Sequence, residues 1–495
     1  MYPVRGHVRG TVFGVSLVAT APVTRVGRAA RAKPRRRSEL GLLFVAVLVI
    51  VFADLLASLG STGKLPNDAS SFIGGLLALA LFIHLINRWL APDCDPVVLP
   101  VVLVLNGIGY VMISLLDPAD AGNQLAWTLI GAVVYAATLL VVRRSRDLER
   151  YRYLLGLVAF VLLILPLAPV IGGAPGEDAC ATPNCAVKLW IHFGSGANAI
   201  SFQPVEIAKL LLVIFFASYF VEKRELLTLP TRRLGNHLVP DLRSFGPVAV
   251  AWACSILVIV FERDVGFSLL LFVLFMAMLW VTTGRWTYVV IGLVMFSVGT
   301  FLASHLLGQV NDRISTWLDP WKDPQGTGLQ PIQGELAFGL GGLYGTGLGL
   351  GHASQIPVAD SDFIFAAIGE DLGLLGTASL VIGFVLIVGS GLRTALRARS
   401  EFAKLTAIGL TAVLGFQTFF IMAGVLRLLP LTGVTLPFVS YGGSSLVITM
   451  VAAGILINIA RQERSAPPGH GIVHLPHRGR ERTSARSSAA RGRGR

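Results

Sequence analysis

Apolar runs of roughly 20 residues, broken by short polar stretches, recur from about residue 40 to residue 460. An α-helix needs about 20 mainly apolar residues to cross ~30 Å of hydrocarbon, so the pattern predicts a bundle of membrane-spanning helices. About twelve segments fit: 40–59, 72–91, 97–116, 124–142, 153–172, 205–221, 245–261, 265–282, 286–303, 363–392, 405–426 and 436–460. Only Glu262, Arg263 and Asp264 separate the seventh from the eighth. With the N-terminus inside, odd-numbered spans exit and even-numbered spans return. Two long segments then fall outside. Residues 173–204 include Leu189, Trp190, Ile191 and Phe193, which suggest an interfacial helix. Residues 304–362 form the longest non-spanning stretch outside the tails, and loops of that length tend to carry function.

Composition agrees with lipid as the solvent. The chain is 54% apolar and 14% charged, with a mean hydropathy of +0.70, whereas soluble domains carry roughly 25% charged residues. The net charge of +13 invites a nucleic-acid reading, but the cations sit in short breaks and in the tails, with no basic patch interleaved with aromatics. Six fall outside in this topology: Lys64, Lys188, Arg263, Arg313, Lys322 and Arg427. Lys209 lies within a span, and the rest of the 41 Lys and Arg lie inside, as the positive-inside rule requires.

The expected fold is therefore an all-α polytopic membrane protein with both termini cytoplasmic. Residues 1–38 and 463–495 read as disordered basic tails, residues 39–145 as N-terminal helices, and residues 146–462 as the core. The apolar stretch Thr11–Val23 resembles a signal peptide only superficially, because its charge follows the apolar run. His470, His474 and His477 have loose metal-like spacing but lie in a solvated tail, and no metal ligands are assigned. Cys94 and Cys254 read as inert; Cys180 and Cys185 share one outer loop, where a disulfide is compatible with an oxidising compartment.

Charges within or beside spans are costly and mark candidate sites. Glu206 and Lys209, three residues apart, share a helix face: they either neutralise each other or wall a polar cavity in which Lys209 meets phosphate. Glu262-Arg263-Asp264-Val265-Gly266 is a polar insertion or a water-exposed hairpin turn. The glycine run Gly339–Gly351 lacks the preceding strand and the following Gly-Lys-Ser/Thr of a nucleotide loop; it reads instead as shaping the loop that leads to Asp362. Asp362 sits where that loop re-enters the bilayer, placed as a tunable general base, as an N-cap, or as both. Glu370 and Asp371 lie about two turns into the same span. The Pro-, Gly- and Ser-rich stretch Leu429–Ser445 belongs packed in protein or along a cavity.

Several of these pieces occur together in a known order. They are Gln203-Pro204-Val205-Glu206-Ile207-Ala208-Lys209, Asp264-Val265-Gly266, Trp317-Leu318-Asp319-Pro320-Trp321-Lys322-Asp323-Pro324, the glycine run, Asp362-Phe363-Ile364-Phe365-Ala366-Ala367-Ile368-Gly369-Glu370, and Leu436–Ser445. Over roughly residues 150–460 the chain resembles the shape, elongation, division and sporulation (SEDS) family of RodA- and FtsW-type proteins. Its long tails and two helices ahead of a ten-helix core look like actinobacterial RodA-type members. It departs from the family at Glu262-Arg263, where Gln-Pro is usual, and at Gly328-Leu329-Gln330-Pro331-Ile332-Gln333-Gly334.

The resemblance implies a peptidoglycan glycosyltransferase that polymerises lipid II on the outer face of the cytoplasmic membrane, in elongation rather than division. It implies Asp362 as the catalytic acid–base group and Glu206, Lys209, Asp264 and Glu370 as cavity residues. Arg313 and Ser440 are further substrate-binding candidates. The leaving pyrophosphate needs positive charge from Lys209, Arg263 or Arg313, or from a divalent cation (Mg or Mn); no other cofactor is implied. The expected partners are lipid II, membrane lipids and a class B penicillin-binding protein. The rival readings are a lipid II flippase and a non-catalytic scaffold for a transpeptidase.

Overall fold

A computed structural model describes residues 36–465 apart from 67–68, 93, 143–144, 166–171, 174–189, 194–199, most of 229–263, and 307. Residues 1–35 and 466–495 of the two tails, nearly all of the seventh predicted span, Glu262, Arg263, Cys180, Cys185 and Cys254 lie outside the described residues. Among the described residues ten helices are long and apolar enough to cross a membrane. The order begins with α1 (Arg36–Thr62), α2 (Ala69–Leu90), α3 (Val98–Leu116), α4 (Pro118–Val141), the short α5 (Ser145–Arg150) and α6 (Arg152–Ile164). After α7 (Pro204–Thr228) come α8 (Val265–Thr283), α9 (Trp286–Leu306), α10 (Gly308–Leu318) and α11 (Leu329–Gly341). The last three are α12 (Ile364–Arg397), α13 (Glu401–Val425) and α14 (Gly443–Ser465). The fifth predicted span corresponds to α6, shorter than the other apolar helices.

Local chemistry sets several of these boundaries. Asp117 ends α3 and caps α4, accepting from Ala119 N at 2.9 Å with Pro118 at the first helical position. Asp264 caps α8 through Phe267 N at 3.0 Å, and Gly284 closes that helix in the left-handed region. Ser400 caps α13 through Ala403 N at 3.3 Å. The last span begins at Gly443 rather than 436, because Pro437 has no N–H to donate and Phe438 sits at φ 66°.

Two small antiparallel sheets interrupt the helical pattern. The first joins β1 (Gly172–Gly173), β2 (Trp190–Phe193) and β3 (Ile200–Phe202), with Ile191 opposite Phe202. The interfacial helix expected around Trp190 is therefore a strand, which fits its apolar and β-branched residues. The second pairs β4 (Arg232–Leu234) with β5 (His237–Val239).

In the bundle α13 and α14 are the most enclosed, each with 72% of its apolar window buried, against 17% for α2 and 28% for α1, α9 and α12. The peripheral helices turn Phe44, Phe52, Leu293, Phe301 and Val385 outward, as a lipid-facing surface does. Phe216 and Phe220 of α7 pack against Phe275 of α8, and Phe272 of α8 stacks on Phe296 of α9.

The tenth predicted span is not one continuous helix. Gly373 has φ 64° and ψ −163°, which breaks α12 into a short buried piece, 364–372, and a longer one, 374–397. The glycine run crosses at the break. Thr346 N donates to Glu370 O at 2.9 Å and Gly347 N to Asp371 O at 3.0 Å, while Leu374 N donates to Gly342 O at 3.0 Å. The backbone groups that the break releases are thus paired. A Cβ on Gly373 would lie 2.4 Å from Gly345 N, whereas Gly389 on the same helix has open space. Gly373→Ala should therefore lower the Tm of the detergent-solubilised protein, at a cost of ~1–3 kcal/mol, and Gly389→Ala should hold or raise it. Equal Tm values for the two variants would refute the break as a required feature.

Candidate active site

The stretch between α13 and α14, residues 426–442, carries its backbone through the bundle as turns and irregular chain, with no helix of its own. Arg427, at φ 56°, latches it to the outer helices. Its guanidinium donates to Trp317 O at 3.0 Å and pairs with Glu335 at 2.8 Å, and the Trp317 indole donates back to Arg427 O at 3.0 Å. Arg313 of α10 donates to Leu431 O and Thr432 O, both at 3.4 Å. Gln417 of α13 donates to Thr435 O at 2.8 Å, and Asn106 of α3 to Phe438 O at 3.2 Å. Four helices far apart in sequence thus hold one irregular segment.

That segment in turn holds the residues around Asp362. Ser440 Oγ donates to Ser361 O at 2.6 Å and accepts from Leu436 N at 2.9 Å, while Tyr441 N donates to Asp360 O at 2.9 Å. From the other side Gln330 of α11 donates to Pro357 O at 2.8 Å, next to Val358 at φ 56°. The α12 N-cap position is occupied by Phe363 without a side-chain bond, so Asp362 does not spend its carboxylate as an N-cap. Among the described residues its one side-chain hydrogen bond is a long one, 3.4 Å from Ser361 Oγ.

Asp362 and Arg313 flank Gly433. A Cβ built on that glycine would stand 3.7 Å from Arg313 Nη2 and 3.8 Å from Asp362 Oδ2, in ordinary contact with both, and its φ of 67° favours glycine. Burial raises the Asp362 carboxyl to about 6; the Arg313 guanidinium opposes the rise and the Asp264 carboxylate adds to it. Asp264 is raised for the same reason, with Arg313 again opposing. Asp362 retains partial solvent access while Asp264 is buried. Two acids and one arginine thus lie within electrostatic reach of one another.

The other sequence candidates are placed differently. Glu206 and Lys209 touch at 2.5 Å, and Lys209 Nζ also donates to Gln417 Oε1 at 2.8 Å. Both are buried, so Lys209 is a charge neutralised inside the bundle, linked through Gln417 to the 426–442 segment. Glu370 is about 12 Å along the helix from Asp362 by the rise per residue. There Glu370 Oε1 accepts from His352 N at 2.6 Å and Asp371 Oδ2 from Gly349 N at 3.1 Å. The glycine run encloses this second carboxylate pair rather than Asp362. Ser440 is buried with its hydroxyl engaged, in contact with the backbone beside Asp362.

Sequence reasoning did not single out Gln417, Arg427 or Gly433. A polar Gln inside an apolar span was the available signal for the first, and a cation beside Pro430 for the second. Gly433 carried none. Among the described residues no group of three or more His, Cys, Asp and Glu converges to hold a metal ion. Arg313 is the described cation beside Asp362.

Fold and site together define a multi-pass helical membrane protein whose half-buried acid stands across a glycine from an arginine at one end of the bundle. The chain belongs to the FtsW/RodA/SpoVE family of cell-cycle proteins, whose profile matches residues 96–465; α1 and α2 precede the match. It is 40% identical over 443 residues to the peptidoglycan glycosyltransferase RodA of Mycobacterium tuberculosis (strain ATCC 25618 / H37Rv), covering 87% of this chain and 91% of that protein. It is 33% identical over 348 residues to a probable peptidoglycan glycosyltransferase FtsW of Geobacter sulfurreducens (strain ATCC 51573 / DSM 12127 / PCA), covering 70% and 86%. A chain of a solved peptidoglycan synthase complex shares the fold with a TM-score of 0.60 at 23% identity, covering 75% of this chain and 99% of that one. Thermus thermophilus RodA does so with a TM-score of 0.53 at 21% identity, covering 77% and 100%.

Two stability tests follow from the charges. Because the folded Asp362 titrates near 6, above its ordinary value, its contribution is favourable below about pH 4 and is lost as pH rises through 6. Asp362→Asn should therefore raise the Tm at pH 7.5, by the equivalent of ~1–3 kcal/mol, and leave it unchanged near pH 4. A loss at pH 7.5 would show that the carboxylate supports the fold. Lys209→Met should strand Glu206 and cost ~3–5 kcal/mol, with Glu206→Leu/Lys209→Met recovering most of it. No recovery would mean that Lys209 acts apart from Glu206.

Proposed function

We propose that the protein is a RodA-type peptidoglycan glycosyltransferase that polymerises lipid II during cell-wall synthesis, with Asp362 as its general base. Supporting the activity is the similarity to mycobacterial RodA along nearly the whole of both chains. The observation that carries the site is the juxtaposition of Asp362, spent on no helix cap, with Arg313 across Gly433.

In this reading Asp362 takes the proton of the 4-hydroxyl of an acceptor N-acetylglucosamine. The freed oxygen pair attacks C1 of the donor N-acetylmuramic acid, and the C1–O bond to undecaprenyl pyrophosphate breaks. A single displacement converts the donor α-linkage into a β-1,4 bond. Arg313 supplies charge toward the leaving pyrophosphate; its two bonds to carbonyls are long at 3.4 Å, so exchanging them for charge-assisted bonds is favourable. Asp264, buried and capping α8, holds Arg313 electrostatically from the other side. Asp362 at a bundle end lets both lipid tails stay in the bilayer while their sugars meet.

The same reading sets Asp362 on the outer side and both termini inside, with twelve crossings in all. Arg393, Arg397, Arg399 and Lys404 at the far ends of α12 and α13 support it through the positive-inside rule. A class B penicillin-binding protein is the proposed partner, since a structural neighbour comes from a complex that coordinates polymerization and crosslinking.

The test uses the purified chain, with and without its transpeptidase, and labelled lipid II. Wild type should make glycan strands, and Asp362→Asn should lose ~10²–10⁴-fold in rate, the range for a general base. The rate should rise with pH through an apparent pKa near 6, and Arg313→Gln should shift that limb to higher pH because the opposing charge is gone. Lipid II headgroup transfer across liposomes without polymer would establish the flippase instead, and unchanged polymer from Asp362→Asn would remove Asp362 from the chemistry.

A further inference from the structure

Helices α1 and α2 precede the residues matched by the family profile, yet they are fastened to the core by buried polar contacts. Where α1 begins, Glu39 meets His84 of α2 at 3.3 Å, and Tyr135 of α4 donates to Asn87 of α2 at 2.6 Å. Such contacts fix one register, because a slip leaves buried polar groups unpaired.

From that anchor α1 turns a narrow stripe inward: Leu43, Ala46, Ile50, Ala53, Ala57 and Gly60, at alternating spacings of three and four. The stripe shrinks to Ala, Ala and Gly where the glycine run crosses it. A Cβ on Gly60 would lie 2.1 Å from Leu348 O, and one on Gly349 would lie 2.9 Å from Ala57 O. Small residues permit two backbones to approach this closely. The crossing residues are the ones that hold the short piece of α12. Gly347 N donates to Asp371 O at 3.0 Å, Gly349 N to Asp371 Oδ2 at 3.1 Å, and His352 N to Glu370 Oε1 at 2.6 Å. That piece begins two residues after Asp362.

A second contact reaches the acid from its other side. Ile50, fully buried, fills the space over Gly107 of α3, where a Cβ would stand 2.3 Å from Ile50 Cδ1. Further along α3, a Cβ on Gly109 would stand 2.3 Å from Val439 O, and Asn106 donates to Phe438 O. Ser440 and Tyr441 follow, and their bonds locate Ser361 and Asp360. Close-packed contacts of this kind have little slack, so a displacement at α1 is passed on.

We propose that α1 is a built-in buttress of the site, with Gly60 and Ile50 as positioning residues. Gly60 sets the glycine run and Ile50, through α3, sets the 438–441 backbone, the two supports between which Asp362 lies. The consequence for rate rests on Asp362 as the general base; the consequence for the backbone does not.

The test measures hydrogen exchange of the full chain in detergent, read by mass spectrometry over residues 343–352 and 436–442, beside glycan synthesis. Gly60→Ala should speed exchange over 343–352 by ~10-fold and lower kcat by ~10-fold while KM for lipid II holds. Gly41→Ala adds a methyl to open space on the same helix and should change neither. Ile50→Ala removes bulk instead of adding it; it should speed exchange over 436–442 and lower kcat in the same way, which keeps the test decisive if Gly60→Ala folds poorly. Gly156→Ala, between α6 and α7, would bring a Cβ to 2.7 Å from the Phe215 ring. It should lower the Tm as any overpacking does, yet leave both segments and kcat as in wild type. Wild-type exchange in Gly60→Ala and Ile50→Ala, or equal loosening in Gly156→Ala, would overturn the buttress. Faster exchange with wild-type kcat would overturn the positioning role. Unchanged polymer from Asp362→Asn would remove the general base, and exchange over 343–352 would still decide whether α1 holds the run.

Discussion

Seventeen residues of irregular backbone between α13 and α14 run through the bundle, and each unpaired polar group there would cost several kcal/mol in a low-dielectric interior. The requirement to satisfy that segment organises the rest. Asn106, Arg313, Gln417 and Arg427 each give a side-chain donor to a carbonyl of the segment or of the helix beside it. Ser440 and Tyr441 carry the restraint on to the carbonyls of Ser361 and Asp360. Asp362 is located mainly by bonds to its neighbours, and its carboxylate carries one long bond, from Ser361 Oγ, among the described residues.

Charged groups inside the bundle divide by what they meet. Glu206 and Lys209 meet each other, and Lys209 meets Gln417, so their charges cancel inside the bundle. Glu370 and Asp371 are enclosed by backbone N–H groups of the glycine run. Asp362 and Asp264 share one arginine, so this cluster holds an excess of acid when both ionise, and burial works against that state. The membership of the chain in the FtsW/RodA/SpoVE family is consistent with this division, since only the third group stands where partial solvent access and an uncommitted carboxylate coincide.

Much of the architecture was legible because lipid imposes a long, monotonous pattern. Ten of the predicted spans reappear as long apolar helices, and the i,i+3 spacing of Glu206 and Lys209 gave their ion pair. Legibility failed where the period was short or the partner distant. Trp190–Phe193 is too brief for periodicity to separate strand from helix. The break at Gly373 is one glycine in a span containing others, and its reason, the crossing glycine run, lies about thirty residues earlier. Asp362 was identifiable by position, but its relation to Arg313 depends on Gly433, and no spacing rule joins those three residues. The bonds of the glycine run were illegible for the same reason: proximity in sequence pointed to Asp362, whereas its backbone bonds go to Glu370 and Asp371.

The break in α12 also has a mechanical side. A continuous helix from residue 364 to 397 would behave as a lever, and any tilt imposed by a thicker or thinner bilayer would swing its first turn. With two axes joined at Gly373, a tilt of the longer piece need not be carried in full to the shorter one, which the glycine run holds through Thr346 and Gly347.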